Sequence, residues 1–462
     1  MAVGAFGRVL RPRSVEELRE CFALARREGL TLGPRGGGIS YGDASVNERG
    51  HTLDCSRMNR ILAFDPSNGV VAVEPGVTVE QLWKHILPFG YWPRVVSGTM
   101  FPTIGGAAAM NIHGKNNFAV GTLGDAILEF DFLLANGELR HCSRSENSDL
   151  FHAAIGGLGM LGVFTRIVLE TKRVHSGDLS VRAISTRNLG EMMAYIEAHR
   201  GDADYLVGWV DCFGSGKQLG RGLIHHANYL HEGEDRDPAR SQAVEHQDLP
   251  TKIFGLIPTS EVWRILALFN NDLGMRLINA VKYQAGRFEA RAKPHLQSHA
   301  RFAFLLDAVT WKWAYGREPV RYGMIQYQTF LPKEVAERVF STMLERCQRA
   351  RLVPYLGVFK RHRPDPFWLT HAVDGWSLSM DFGVNPENRE RLWRHCAELT
   401  EIVIAAGGRF YFAKDLVLSA NDPARFYPPE KLAAFRALKR ELDPEGLFAT
   451  NLWRRAFAPA RD

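Results

Sequence analysis

The sequence lacks several patterns that would place it in a familiar class of protein. It contains no apolar run near the roughly 18 residues that a membrane-spanning helix needs. Its first residues contain no apolar core of a secretory signal, so we expect none. No basic block interleaved with aromatic residues is present, which argues against a nucleic-acid partner. Its 6 cysteines include no C-x-x-C pair and no zinc-ligand spacing, so the sequence predicts neither a disulfide framework nor a metal site.

The composition is that of a globular protein with a substantial core. The 462 residues suggest two or three domains, and 45% of them are hydrophobic while 23% are charged. Reduced cysteines and the lack of a signal predict a cytoplasmic protein, peripheral at the inner membrane if it contacts a membrane at all. The net charge of +6 is spread along the chain, and it can attract an anionic substrate or a membrane surface.

Two glycine-rich stretches dominate the N-terminal half. The longer one, residues 97–125, reads SGTMFPTIGGAAAMNIHGKNNFAVGTLGD, and the shorter one, residues 34–43, reads PRGGGISYGD. Glycine lets a ligand approach the main chain closely, and successive backbone N–H groups bind phosphates. Neither stretch has the G-x-G-x-x-G spacing between a strand and a helix, so a nicotinamide fingerprint is not indicated. A bound dinucleotide and a pair of ordinary turns therefore both remain open.

The remaining pattern predicts an α+β fold with an antiparallel sheet in the second domain. Apolar strands and amphipathic helices alternate after about residue 174. The strand 324–330 should expose Gln326 and Gln328 on one face and Tyr327 on the other. Residues 214–250 are polar and predict a loop or mobile cover, and residues 410–414 predict a last strand that ends at Lys414. Residues 259–281 are apolar at helical spacing, which fits a core helix, a wall for an apolar substrate, or a membrane-facing surface.

Several motifs resemble those of a known superfamily. They are the loop RGGGISYGD at 35–43, the strand ending VEPG at 73–76, the Gly105-Gly106 turn and IGGLGMLGV at 155–163. On these residues the chain resembles the FAD-linked oxidases of the vanillyl-alcohol oxidase and p-cresol methylhydroxylase type. Within them it is most similar to the decaprenylphosphoryl-β-D-ribose 2′-oxidases, through SYGD at 40–43, LPFG at 87–90, IHGKN at 112–116, AYG at 314–316, QYQ at 326–328, WSLSMDF at 376–382 and AKD at 413–415.

The resemblance implies a two-part FAD-binding domain with an inserted substrate domain. We expect residues 1–173 to form the first part, 174–408 the α+β substrate domain on its antiparallel sheet, and 409–462 a segment that returns to the FAD domain. Some members attach FAD covalently through a histidine or a cysteine. The matching positions here are Ile39 and Phe101, so the expectation is noncovalent FAD.

The resemblance also implies the site residues. For contact with FAD these are Arg35, Gly36, Gly37, Gly38, Ile39, Ser40, Tyr41, Gly98, Thr99, Thr103, Gly105, Gly106, Ala109, Asn111, His113, Gly114, Gly121, Thr122, Gly162 and Val163. For catalysis they are Lys414, His113 and Tyr41, and for the substrate Lys115, Tyr315, Gln326, Gln328, Ser379 and Lys414. Each has a simpler alternative, because a lysine is usually solvated and a lone histidine or tyrosine is usually part of the packing.

The implied reaction is oxidation of a sugar secondary hydroxyl to a ketone. The substrate would be C2 of polyprenyl-phosphoryl-β-D-ribose, in the first half of an epimerisation to arabinose that serves arabinan biosynthesis in the cell wall. An NADH-dependent short-chain reductase would be the partner, and a quinone or oxygen the electron acceptor. The alternatives are an aldonolactone or alditol oxidase acting on a soluble sugar, and a noncatalytic flavin-binding protein. Ser379 replaces a cysteine of many members, which affects covalent inhibition rather than catalysis.

Overall fold

The structure is a computed structural model that describes residues 4–253, 255–308, 314 and 323–458; Tyr315 lies outside them. The strands, in chain order, are β1 (Val9–Leu10), β2 (Thr31–Arg35), β3 (Gly50–Asp54), β4 (Ile61–Asp65), β5 (Val70–Val73), β6 (Tyr91–Pro93), β7 (Ile127–Leu133), β8 (Leu139–Ser143), β9 (Val163–Arg173), β10 (Asp178–Thr186), β11 (Tyr205–Val210), β12 (Gly222–Tyr229), β13 (Lys252–Ile253), β14 (Ile257–Pro258), β15 (His295–Ser298), β16 (Met324–Pro332), β17 (Leu356–His362), β18 (Gly375–Gly383) and β19 (Arg409–Phe410).

Helices pack against these strands. They are α1 (Val15–Glu28), α2 (Val79–Ile86), α3 (Ile104–Ala109), α4 (Asn117–Val120), α5 (Leu123–Ala126), α6 (Ser148–Ala154), α7 (Leu189–His199), α8 (Pro238–Ser241), α9 (Val262–Leu268), α10 (Asp272–Glu289), α11 (His299–Ala308), α12 (Ala336–Arg349), α13 (Arg389–Ala405), α14 (Pro423–Phe426) and α15 (Pro429–Leu442).

The N-terminal half contains two sheets. β1, β3 and β2 form a small parallel sheet, and α1 covers it through Leu18 and Phe22. The sequence places Ser14 three residues before Glu17, a pattern that predicts a helix start, and the Ser14 side chain accepts a hydrogen bond from the Glu17 backbone N–H to cap α1. β4, β5, β9, β7 and β8 form an antiparallel sheet, to which β6 adds through β9. The dipeptide Asn136-Gly137 is a strong hairpin signal in the sequence, and β7 and β8 form that hairpin, with a φ of +88° at Gly137.

The second half contains an eight-stranded antiparallel sheet in the order β15-β10-β12-β11-β17-β18-β16-β19. Side chains alternate across β16: Tyr327 donates to or accepts from the Thr400 hydroxyl of α13 at 2.9 Å, whereas Gln326 and Gln328 lie on the opposite face. The predicted α+β class with an antiparallel sheet is thereby confirmed. This sheet presents one face to helices and the other to the glycine-rich half of the chain, which is where the site lies.

Two local predictions are wrong. Part of the segment 214–250 is not a loop, because β12 lies within it and pairs with β10 and β11 inside the large sheet. Both faces of β12 are largely covered, so it lacks the polar-apolar alternation that marks a half-exposed strand. The last strand ends at Phe410 instead of Lys414, whose backbone N–H donates to Tyr411 O at 2.9 Å in a turn. The chain leaves the sheet there because Ala413 O accepts a hydrogen bond from the Tyr41 N–H at 2.7 Å.

Within the described residues, no helix is both long enough and apolar enough to cross a membrane.

Candidate active site

One large cavity separates the glycine-rich loops from the eight-stranded sheet. It contains about 1650 Å³ of space between atoms, including its opening to solvent. Glycines, alanines and small polar residues of 34–45 and 97–113 line one end, and side chains of β16, β17, β18 and residues 411–414 line the other. A long cavity with a backbone-rich end and a polar end suits an extended ligand that has a reactive group at one extremity.

The two glycine-rich loops approach each other so closely that side chains are excluded. A Cβ added to Gly36 would lie 2.0 Å from Thr103 Oγ1, and one added to Gly37 would lie 2.6 Å from Phe101 O. Thr103 in turn caps α3, since its hydroxyl accepts a hydrogen bond from the Gly106 N–H at 3.3 Å. The glycines therefore serve a close approach of two backbones that together form one wall of the cavity.

The polar end is built by the register of three neighbouring strands. Gln328 of β16 lies opposite Ser379 of β18, and Ser379 lies opposite Val358 of β17. Because side chains alternate along each strand, Gln326 and Lys360 also point into the cavity. Gln326 Oε1 and Ser379 Oγ are buried and have no hydrogen-bond partner among the described residues. Buried polar atoms are normally satisfied, so these two oxygens indicate that a polar ligand completes this end.

His113 lies at the centre of the polar end and is buried. The Gln328 side-chain amide contacts its Nε2 at 3.1 Å, and Lys360 Nζ lies 3.4 Å from its Nδ1. The rings of His362, His371 and Tyr411 surround it, with centroids between 5.0 and 5.3 Å away. Burial lowers the pKa of His113 well below its usual value, so the ring is neutral near pH 7.

Lys414 and Tyr41 form a second feature of the cavity wall. Lys414 Nζ lies over the Tyr41 ring, 3.7 Å from its centroid, a contact that favours the charged ammonium. Burial and the nearby carboxylates of Asp381 and Asp307 raise the pKa of Tyr41 well above its usual value, so its hydroxyl keeps its proton. The site thus holds a cation beside a neutral phenol, the arrangement needed to stabilise negative charge without removing a proton from Tyr41.

Most of the predicted site residues line this cavity. They are Arg35, Gly36, Gly37, Gly38, Ile39, Ser40, Tyr41, Gly98, Thr99, Thr103, Gly105, Gly106, Ala109, His113, Gly162, Val163, Gln326, Gln328, Ser379 and Lys414. Five predicted residues do not line it, namely Asn111, Gly114, Lys115, Gly121 and Thr122. The described part of the cavity wall within residues 97–125 therefore ends at His113.

The five residues lie behind the cavity wall because they bind other parts of the protein. The Asn111 amide donates to Asp365 at 3.2 Å and accepts from the Gly124 N–H, and the Thr122 hydroxyl also donates to Asp365. A Cβ added to Gly121 would meet Asp125 Oδ2 at 2.2 Å, and one added to Gly114 would meet the Asn116 side chain. Through Asp365, Asn111 and Thr122 hold the glycine-rich stretch against the second half of the chain.

Lys115 also lies outside the cavity, although the sequence predicted it as a substrate-binding residue. Its ammonium donates to the backbone carbonyls of Phe302 and Ala303 and lies 4.4 Å from the Phe302 ring centroid. These carbonyls precede a kink in α11 at Phe304, where φ is −124° and the regular helical hydrogen bonds are interrupted. Lys115 is therefore placed to stabilise the kinked helix, whose Leu306 and Asp307 line the cavity.

Lys360 is a cavity residue that the sequence argument missed. It lies on β17 two residues beyond Val358, which faces the same side, so the period of two along β17 is the signal that could have found it. Burial lowers the pKa of Lys360 to about 8. Asp307 and Tyr411 are further lining residues that carried no recognisable sequence pattern.

The residues present fit FAD. Two closely packed glycine-rich backbones offer N–H groups and room for a pyrophosphate, and the cavity continues from them to the polar end. The flavin supplies two-electron chemistry when bound, and the protein must orient a substrate and hold or move its proton. The neutral His113, the ammonium of Lys414 and the orphaned oxygens of Gln326 and Ser379 are groups that can do this.

Comparison with known proteins agrees with this chemistry. The FAD binding domain family matches residues 7–143, the part of the chain that contains both glycine-rich stretches. L-gulonolactone oxidase from Bos taurus is 23% identical over 455 residues, 95% of this chain and 92% of that protein. A putative D-arabinono-1,4-lactone oxidase from Neurospora crassa is 29% identical over 161 residues, 35% of this chain and 29% of that protein.

A further relative matches almost the whole chain at higher identity. Decaprenylphosphoryl-beta-D-ribose oxidase from Mycolicibacterium smegmatis is 30% identical over 454 residues, which cover 95% of this chain and 92% of that protein. The cavity supports an FAD-dependent oxidoreductase that acts on a hydroxyl group, and the match extends over the loops, the large sheet and the C-terminal segment alike. The chain belongs to the FAD-linked oxidase family, with an FAD-binding domain of the p-cresol methylhydroxylase type, that includes decaprenylphosphoryl-beta-D-ribose oxidase.

Proposed function

We propose that this protein oxidises the C2 hydroxyl of a polyprenyl-phosphoryl-β-D-ribose to a ketone, as the first half of an epimerisation to arabinose. The observation that carries the proposal is the polar end of the cavity, where Gln326 Oε1 and Ser379 Oγ have no partner among the described residues. Hydroxyl groups of a sugar are suitable partners, since each can donate to one of these oxygens. The match to decaprenylphosphoryl-beta-D-ribose oxidase supports a lipid-linked sugar over other alcohols.

The side chains have distinct roles in this proposal. Gln326, Gln328 and Ser379 orient the sugar ring so that one carbon faces the flavin, which supplies the hydride acceptor when bound. Lys414 stabilises the negative charge that develops at the cavity, and the Tyr41 ring holds its ammonium in place. His113 stays neutral, so one of its ring nitrogens donates a hydrogen bond and the other accepts one. The division of the chain at residues 174 and 409 into an FAD domain and an inserted substrate domain is part of the same proposal.

We further propose that FAD is held noncovalently. Ile39 stands where covalent attachment would need a histidine, and Phe101 stands where it would need a cysteine. Cys55 lines the cavity, but burial raises the pKa of its thiol to about 12, so almost no thiolate is available to attack the flavin. Acid precipitation tests this directly: the yellow cofactor should appear in the supernatant, and a yellow protein pellet would refute noncovalent binding.

A lipid tail needs an apolar surface near the cavity, and α9 and α10 offer one. Leu273, Leu277 and Val281 follow each other at a spacing of four residues on α10 and are 79%, 55% and 60% exposed. On α9 the exposed Leu268 accompanies Trp263, which packs in one cluster with the cavity residue Tyr41. Exposed arginines of the same helices, such as Arg276, add positive charge beside this apolar stripe. We propose that this surface, α9 and α10 with their exposed leucines, rests on an anionic membrane.

Vesicle sedimentation tests the membrane contact. The protein should sediment with vesicles of phosphatidylcholine and phosphatidylglycerol more than with phosphatidylcholine alone. The pair Leu273→Glu and Leu277→Glu should abolish this binding, whereas the matched control Leu139→Glu, which is 46% exposed on β8, should not. Equal binding by the α10 variant would refute the proposed surface.

The product and the reduced flavin each require a second reaction. A 2-keto sugar must be reduced again for epimerisation, which calls for an NADH-dependent short-chain reductase as the partner. The flavin must be reoxidised by a quinone or by oxygen. Adding purified reductase with NADH should convert the ketone into the arabinose epimer, and comparing reoxidation by air with reoxidation by a soluble quinone identifies the acceptor.

The first experiment is an absorbance spectrum before and after anaerobic addition of a short-chain polyprenyl-phosphoryl-β-D-ribose. Bleached flavin bands support the proposal. Bleaching by L-gulono-1,4-lactone or an alditol instead would favour an oxidase of soluble sugars, the second candidate, which the match to L-gulonolactone oxidase over 95% of this chain supports. Flavin bands that no sugar bleaches would point to a noncatalytic flavin-binding protein and refute both.

A further inference from the structure

A buried chain of hydrogen bonds connects the cavity to the interior behind it. It runs from Asn117 through His362, Ser377 and Gln328 to His113, which lies beside Lys360. The contacts are His362 Nδ1 to Asn117 Oδ1 at 2.9 Å, His362 Nε2 to Ser377 Oγ at 2.7 Å, and Gln328 Nε2 to Ser377 Oγ at 3.4 Å. The five side chains that precede Lys360 in this series of hydrogen bonds are all buried. In such surroundings each donor must face an acceptor, so the chain has a direction.

The direction is set at its inner end. Asn117 Oδ1 also accepts the backbone N–H of Arg363 at 3.3 Å, which identifies this atom as the oxygen of the amide. His362 must then carry its proton on Nδ1, and because burial lowers the pKa of His362 well below its usual value, the ring is neutral and its Nε2 is an acceptor. The Ser377 hydroxyl therefore donates to His362, and the Gln328 amide donates to Ser377.

The same direction determines the tautomer of His113. The second N–H of the Gln328 amide donates to His113 Nε2, so the neutral His113 ring carries its proton on Nδ1. That N–H points at Lys360 Nζ, 3.4 Å away. An ammonium has three donors and no lone pair, so it would oppose this N–H, whereas a neutral amine accepts it.

The residues around Lys360 also favour its neutral amine over the ammonium. No ion pair between described residues involves Lys360. The titratable groups that face it are Lys115, His113, His362 and His371, with Lys414 beyond His113, and none of these is an acid. Lys360 also lines the cavity, so its amine can contact a bound substrate.

We propose that Lys360 accepts the proton of the substrate hydroxyl, and that His362, Ser377 and Gln328 are positioning residues that hold Lys360 as a neutral amine through the tautomer of His113. This rests on the proposed function. In the reaction the C–H electron pair leaves with hydrogen as hydride to the flavin, the electrons of the O–H bond form the second C–O bond, and the proton is bound by Lys360 Nζ. The resulting ammonium faces the His113 N–H, which favours release of the proton to solvent through the cavity.

The test measures anaerobic flavin reduction by short-chain polyprenyl-phosphoryl-β-D-ribose as a function of pH. Lys360→Met and Lys360→Arg should both keep FAD and lower the reduction rate at pH 8 by about 10²- to 10⁴-fold, the usual contribution of a general base. Arginine supplies a permanent positive charge and hydrogen-bond donors but cannot accept a proton. A Lys360→Arg variant with nearly wild-type rate would overturn the proposal, since it would reduce Lys360 to a cation that binds substrate.

The positioning residues need a readout beyond the rate. Ser377→Ala frees the Gln328 amide to rotate, so that His113 Nδ1 can lose its proton and accept a hydrogen bond from the Lys360 ammonium. The rise of the flavin reduction rate with pH should then move to higher pH. The loss of rate should therefore be larger at pH 7 than at pH 9. Ser148→Ala is the matched control, because its hydroxyl lies 3.3 Å from His152 Nδ1 away from the cavity, and its profile should be that of the wild type. An unchanged profile in Ser377→Ala would contradict the positioning role.

Nuclear magnetic resonance separates this inference from the proposed function. In the substrate-free protein with ¹⁵N-labelled histidine and lysine, the histidine signal lost in His113→Gln should report the Nδ1-protonated tautomer. The lysine signal lost in Lys360→Met should titrate well below the ordinary value of about 10.4. A protein that no ribose substrate reduces would refute the proposed function alone. An Nε2-protonated His113 beside a Lys360 of ordinary pKa would overturn the inference whatever the substrate is.

Discussion

The substitution Gly36→Ala tests whether the close approach of the two glycine-rich loops builds the cofactor site. The new methyl group would lie 2.0 Å from Thr103 Oγ1 and 3.3 Å from Thr103 Cβ, and Thr103 is 1% exposed. The threonine must therefore move, and its cap on the Gly106 N–H at 3.3 Å is lost. Loss of a cap costs about 0.5–2 kcal/mol, and overpacking costs about 1–3 kcal/mol.

We expect the apoprotein to lose about 1–3 kcal/mol of unfolding free energy in urea, since both terms act on one contact. FAD should bind at least about tenfold more weakly, because the displaced loops bind it less well and each 1.4 kcal/mol of lost binding free energy corresponds to a factor of ten. Gly201→Ala is the control: a Cβ there meets nothing within 4 Å, and stability should change by less than about 0.5 kcal/mol.

A double-mutant cycle isolates the contact. Thr103→Gly removes the obstructing side chain, and a glycine cap costs only a few tenths of a kcal/mol. The double variant Gly36→Ala, Thr103→Gly should be more stable than Gly36→Ala alone, with a coupling energy of about 1 kcal/mol or more. Strict additivity of the two single effects, or wild-type FAD affinity in Gly36→Ala, would refute the argument.

Three further predictions concern the lysines and histidines of the site. Lys414→Ala should keep the flavin spectrum and lower turnover at least about 10²-fold, whereas turnover near wild type would remove the charge-stabilising role of Lys414. Lys115→Met should lower the unfolding free energy by about 1–3 kcal/mol, because the carbonyls of Phe302 and Ala303 lose their donor, while kcat changes little; a large loss of kcat without a stability change would restore Lys115 to the substrate site. Burial lowers the pKa of His371 to about 3 from about 6.5 in the unfolded chain, so the stability it contributes is complete above pH 6.5 and is lost as pH falls toward 3. Urea unfolding of wild type and His371→Gln between pH 7 and pH 4 should show a shallower decline in the variant, and parallel curves would contradict this.

Several features of the site followed from local sequence alone. The glycine loops were recognisable because a close backbone approach leaves a trace in composition, and Gln326 and Gln328 were placed on one face by the period of two along β16. The cap of α1 at Ser14 and the hairpin at Gly137 are also local, since each depends on residues within a few positions. Such features need no knowledge of what packs against them.

Other residues were misplaced because their partners lie far away along the chain. Lys115 has the sequence neighbours of a cavity residue, yet its ammonium binds carbonyls 187 and 188 positions away. β12 is buried on both faces, so the alternation that identifies a strand is missing. Lys414 follows a strand that ends four residues earlier than its composition predicts, because Ala413 pairs with Tyr41 instead of continuing the sheet.

Motifs and local periodicity were therefore enough to identify the class of the protein, the two glycine-rich walls and the residue types that a sugar oxidase needs. Long-range packing was needed to show that His113 Nε2 contacts Gln328, 215 positions away, and that Lys360 lies beside His113 Nδ1. The physical reason is that local propensity and periodicity specify an element and its buried face, whereas the direction of a hydrogen bond depends on every buried partner that the fold brings within about 3 Å.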